Sequence, residues 1–150
     1  MHVDEQQILN LSRDLWATQL GLNIAPAESP ETPGSDRSLS SCVRVSGAWH
    51  GTILLECPES VARHAAVMLF AADDASDGDV QDALGELTEM IAAKIRTLLP
   101  EDSKLSKPAI VADDDALAKQ RRIQDLHLSC EGRPVRIALL ESESVPASAA

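Results

Sequence analysis

Aromatic side chains are almost missing: two Trp, one Phe and no Tyr among 150 residues. A core in this chain must therefore be aliphatic. Basic residues are scarce, with 13 Lys and Arg against 24 Asp and Glu and a formal charge of −11. Such a surface repels phosphate backbones and anionic lipid, and no basic run with interleaved aromatics exists, so nucleic-acid binding is excluded. No apolar run approaches the roughly 20 residues of a membrane helix. The opening residues, Met1 to Glu5, lack the positive segment of a signal peptide, and the expectation is a cytoplasmic protein without membrane contact. Cys42, Cys57 and Cys130 are odd in number and far apart, which reads as buried reduced thiols rather than a disulfide frame.

Other chemistries are equally short of material. His2, His50, His64 and His127 show no metal-ligand spacing, so no metal site is expected. The aspartates at 73–79 and 113–115 do not follow the EF-hand pattern with its terminal Glu, and they read as solvated loops. No Walker loop, dinucleotide fingerprint or nucleophile elbow is present.

What the chain has is 44% hydrophobic composition, enough for one domain over residues 1–150. Residues 4–20 read as an amphipathic helix through Ile8, Leu11, Leu15 and Leu20, with Asp4 as N-cap and Gly21 at its end. Residues 25–40 are rich in Pro, Ser and Glu and read as a flexible loop. Alternation over 41–57 predicts a β-hairpin turning at Trp49-His50-Gly51. From Pro58 a second helix is expected, with Val61, Ala65, Met68 and Leu69 on its inner side. A third helix runs from about 78 to 99, opened by a Ser76–Asp79 capping pair and stopped by Pro100. A short strand over 108–111 and a closing hairpin through Leu126–Cys130 and Val135–Leu139 follow, with Ile123 out of phase, so that the strand either starts late or carries a bulge. The tail 142–150 is expected to fray. The order gives an α+β fold, an antiparallel β-sheet packed with three helices.

The third helix carries the functional signal. At about 100° per residue, Val80, Leu84, Leu87, Ile91, Ile95 and Leu98 fall within about 80° and must face the sheet. Asp82, Glu86, Glu89, Ala93, Arg96 and Thr97 fall opposite, so three carboxylates line one exposed ridge. Like charges at these spacings cost an isolated helix roughly 0.2–0.5 kcal/mol per pair, and no basic residue neutralises them before Lys94 and Arg96. A solvated polar face explains the pattern on periodicity alone. A glycosidase pair at Glu86 and Glu89 would need a cleft with carboxyls about 5–9.5 Å apart, which a convex helix face does not offer.

The stretch Asp82-Ala83-Leu84-Gly85-Glu86-Leu87-Thr88-Glu89-Met90-Ile91-Ala92-Ala93 resembles the active helix of the CheC–CheX–FliY family of chemotaxis phosphatases. The hairpin Gly47–Leu55, the block Lys107–Val111 and the closing Arg133–Ile137 resemble that family's neighbouring segments in the same order, and the CheX subgroup most. The resemblance implies a CheC/CheX-like fold and docking to a CheY-like response-regulator receiver, whose aspartyl-phosphate the family hydrolyses. It implies no cofactor of the chain's own, Mg²⁺ on the receiver, and a homodimer paired through the sheets. In the family a Glu pairs with the receiver's active-site Lys, and an Asn three residues on orients the attacking water. Glu86 stands at the Glu position, Glu89 at the Asn position and Ala93 at the usual Gly position, so Glu86 and Glu89 are the candidate catalytic residues. Asp82, Ala93 and Arg96 are the candidate partner contacts. A carboxylate offers acceptors only, where Asn offers a donor and an acceptor, so phosphatase activity is expected to be weakened unless Glu89 works as a general base. The competing class is a non-catalytic receiver-binding or flagellar-switch-type assembly module on the same scaffold.

Overall fold

The computed structural model describes residues 3–27, 37–47, 49–71, 75–99, 102–111 and 120–142. Helix α1 spans Glu5–Leu20, and its first turn is closed from both sides: the Asp4 carboxylate accepts the Gln6 N–H, and the Gln7 side chain accepts the Asp4 N–H. Gly21 ends it at φ 66°, a left-handed conformation that glycine adopts without a Cβ penalty. Strands β1 (Ile24–Pro26), β2 (Ser38–Ser46) and β3 (Gly51–Pro58) lead to α2 (Glu59–Phe70) and α3 (Asp77–Arg96). Strands β4 (Lys104–Leu105), β5 (Ala109–Ile110), β6 (Arg121–Cys130) and β7 (Arg133–Glu141) complete the chain. The sheet order is β1-β6-β7-β3-β2-β4, with β5 also pairing β2, and every pairing is antiparallel.

The expected α+β architecture of three helices on an antiparallel sheet is therefore the observed one. Alternation sets its two faces. Val43, Val45, Ile53, Leu55, Leu126, Leu128, Ile137 and Leu139 join the helices in one core, with Trp16 and Leu84 also fully buried. On the other face Leu54, Ala138 and Leu140 form a smaller cluster with Cys42 and Val111. Of the two alternatives for Ile123 the structure has the bulge: β6 begins at Arg121, and its pairing with β7 shifts register between Arg122 and Gln124. The cysteines are free, Cys57 and Cys130 buried and Cys42 half-buried.

Four local expectations are corrected. Ala25 and Pro26, assigned to the 25–40 loop, belong to β1, and Ser38–Ser40 begin β2; the intervening 28–36 lie outside the described residues. Lys104–Leu105 pairs with β2, where the polar run from Glu101 to Ser106 predicts a loop. Strands β1 and β4 are three and two residues long, too short for alternation to register. Met68 is 49% exposed rather than inward, because α2 buries the narrow alanine-rich side formed by Val61, Ala62, Ala65 and Ala66. Helix α3 stops at Arg96 instead of near 99. The 113–115 aspartates and 143–150 also lie outside the described residues. No helix among the described residues is long and apolar enough to cross a membrane.

On the helix-free face, Asp125 takes two hydrogen bonds from Arg136, Nε at 2.7 Å and its second guanidinium nitrogen at 2.9 Å, with Arg122 and His127 within 3.7 Å. The hydrogen bonding from Arg136 holds the Asp125 carboxyl below its ordinary range, against partial burial. A depressed native value means the stabilisation is present above the unfolded carboxylate range, about pH 4, and is lost as pH falls through the native value. Asp125→Asn should therefore lower stability at neutral pH, and its gap from wild type should close in acid. Denaturant midpoints measured from pH 7 downward would contradict this if the gap stayed constant.

Candidate functional site

Helix α3 is fixed at both ends. At the start, the Ser76 hydroxyl accepts the Asp79 N–H at 3.1 Å and the Asp79 carboxylate accepts the Ser76 N–H at 3.0 Å. After the last turn, Arg96 Nε donates to the Ser103 carbonyl at 2.9 Å, tying the helix end to the segment that enters β4. Between these points Val80, Leu84, Leu87, Ile91 and Ile95 are buried as the wheel predicts, and Leu98 is half-buried beyond the helix. The buried face is wider than the stripe because Ala83, Gly85, Thr88 and Ala92 are covered too. Thr88 satisfies its hydroxyl by donating to the Leu84 carbonyl at 2.7 Å.

Asp82, Glu86, Glu89, Ala93 and Arg96 are all exposed. Among the described residues, none of the three carboxylates has a hydrogen-bond or ion-pair partner. The ridge therefore carries three uncompensated negative charges within two helical turns.

The ridge is not simply convex, as the wheel alone suggests. Asp82, Glu86 and Glu89 border a shallow groove of about 360 Å³ that also involves Gln81, Gly85, Ser41, Phe70 and Pro108–Ile110. Ala93 and Arg96 lie outside it. Gly85 makes the groove: with no side chain there, Pro108 sits where an added Cβ would be 3.4 Å from its Cγ. Ser41, on the helix-facing side of β2, is fully buried with an unpartnered hydroxyl beneath the groove. Phe70 is 41% exposed at its margin. Gln81, Ser41, Phe70 and Pro108 were missed from sequence. A lone glycine inside a helical pattern was the available signal, since such glycines mark close approach of another segment.

The 3.4 Å spacing is an ordinary van der Waals separation. Gly85→Ala should therefore gain helix stability, by about 0.5–1 kcal/mol, without forcing Pro108 away. Thermal denaturation checks this; a lowered midpoint would mean that the β4–β5 connection cannot accept the methyl group.

A larger hollow of about 760 Å³ opens on the opposite face of the sheet, near Arg44, His50, Lys107 and Gln120, and none of the sequence-predicted site residues borders it. Among the described residues, no group of three His, Cys, Asp or Glu side chains is placed to hold a metal ion.

The fold is shared with solved structures of low sequence identity. A CheX chemotaxis protein from Vibrio vulnificus superposes with TM-score 0.68 at 17% identity, over 90% of this chain and 93% of that one. One from Desulfovibrio desulfuricans gives 0.67 at 17% identity, over 91% and 97%. A CheX–CheY–BeF₃–Mg²⁺ complex from Borrelia burgdorferi gives 0.62 at 18% identity, over 95% and 100%. No curated protein is similar enough in sequence to match. The family model "Chemotaxis phosphatase CheX" matches residues 39–131, which run from β2 through α3 into the closing hairpin and take in well over half of the chain. The chain is a member of the CheX family of chemotaxis phosphatases.

Proposed function

We propose that this protein docks a CheY-like response-regulator receiver through the Asp82–Glu86–Glu89 ridge of α3. The observation that carries the reading is the exposed Glu86 carboxylate, which has no partner among the described residues and stands where the sequence resemblance puts the family's anchoring Glu. A free carboxylate on a rigid helix can meet an ammonium group on the receiver without first breaking a bond of its own. The Borrelia burgdorferi complex, in which a CheX of this fold is bound to CheY with Mg²⁺, supports the choice of partner. On this reading the receiver supplies the Mg²⁺ and this chain supplies none. Asp82 adds charge to the docking face, and Ala93 and Arg96 extend it toward the helix end.

Hydrolysis of the aspartyl-phosphate by this helix is slow on the same reading. Glu89 offers only acceptors to a water that must be held and oriented, and it brings negative charge toward a phosphoryl group. Glu89 also favours the second reading, a receiver-binding module that does not catalyse. Mixing the protein with a phosphorylated receiver and following both complex formation and phosphate loss tests the two together. Binding weakened by Glu86→Ala supports the docking face. Faster phosphate loss that also depends on Glu86 supports residual catalysis, and binding with no acceleration supports the module. Failure to bind any CheY-type receiver removes both. The chain is further proposed to act as one domain in the cytoplasm, and to pair as a homodimer through its sheet; a monomer in sedimentation at micromolar concentration would contradict the pairing.

A further inference from the structure

Exposed charge alone is a weak source of affinity, because ion pairs at a wet surface gain little over their hydration. Stable complexes usually rest on a few apolar side chains that become fully buried, surrounded by a polar rim. The α3 groove offers candidates for both parts. Phe70 and Ile110 are 41% and 40% exposed, come from two different elements, α2 and β5, and both border the groove shared with Asp82, Glu86 and Glu89. Phe70 is the chain's one phenylalanine, while both tryptophans are buried. In a protein this poor in aromatics, the side chain best suited to a core stands in water beside the acidic ridge.

We infer that Phe70 and Ile110 are the apolar anchors of the receiver-docking face, and that the matching partner surface carries an aliphatic or aromatic side chain next to a lysine or arginine. The inference rests on the docking reading above and deepens it. Charge complementarity fixes the cationic part of the partner, since three uncompensated carboxylates border the same groove. The two exposed hydrophobes fix the apolar part. Carboxylates then steer the approach and set orientation, and the anchors hold the complex.

The test is a binding titration with a phosphorylated CheY-type receiver at low and moderate salt. Phe70→Ala and Ile110→Ala should each weaken binding by at least about tenfold and leave its salt dependence unchanged. Glu86→Gln should instead flatten the salt dependence. Met68→Ala serves as the control, because Met68 is also exposed on α2 but does not border the groove, and its affinity should equal that of wild type. Thermal midpoints of the three exposed-site variants verify folding. Binding by wild type with unchanged affinity in both anchor variants overturns the inference, as does an equal loss in Met68→Ala. Absence of binding by wild type overturns the docking reading and the anchors with it.

Discussion

If α3 docks a receiver as proposed, Glu89→Asn is expected to speed loss of the receiver's phosphate by up to about a thousandfold. The estimate follows from charge. A carboxylate held about 4 Å from a phosphoryl oxygen, at an effective dielectric near 20, repels it by roughly 4 kcal/mol. At about 1.36 kcal/mol per decade of rate, removing that repulsion is worth about three decades. Receiver-bound Mg²⁺ screens part of the repulsion, so the figure is an upper bound. Asn also restores a donor beside its acceptor, which a water placed for in-line attack can use. Glu89 is exposed and has no partner among the described residues, so the exchange should not disturb the fold. Phosphate release from a labelled receiver measures the effect, and adding Glu86→Ala to the variant should cancel it. A variant that binds as before but shows no acceleration would remove α3 from any catalytic role.

Trp16→Ala is expected to have the largest effect on stability, a loss of about 3–5 kcal/mol. Trp16 is fully buried where α1 meets the sheet, and its indole N–H has no hydrogen-bond partner among the described residues, so the side chain acts there through its volume. In a close-packed core the surrounding side chains relax only partly into the space it would leave. Whole domains are stable by only about 5–15 kcal/mol, so one such cavity removes a large fraction of the total. The thermal midpoint should fall on the order of 10 °C. Trp16→Phe should recover much of the loss by restoring volume. Midpoints of Trp16→Ala within two or three degrees of wild type would show that α1 packs on the sheet through its leucines alone.

The long elements were legible because their information is local. Asp4, Gly21, Ser76 and Asp79 announce helix ends through bonds to residues a few positions away, and all four act as expected. The two faces of α3 follow from 3.6-residue periodicity, which places Glu86 and Glu89 outside and Leu84 and Leu87 inside whatever else the chain does. The β2–β3 and β6–β7 hairpins follow from alternation over eight to ten residues. Strands β1, β4 and β5 carry too few residues for either period. They form because long neighbours present unpaired N–H and C=O groups at the sheet edges.

The outward acidic flank of α3, its aliphatic inner flank and the family to which the motif points were thus set by the sequence itself, since spacing along a helix is decided within one or two turns. Only the tertiary structure decided that the flank borders a groove, that Pro108 closes over Gly85, and that Ser41, Phe70 and Ile110 meet Glu86 and Glu89 there. Those residues are brought together by the pairing of β5 with β2 and by the packing of α2 beside α3. The physical reason is that periodicity tells a segment which side to bury, while the identity of what covers it depends on register and packing between parts of the chain far apart in sequence.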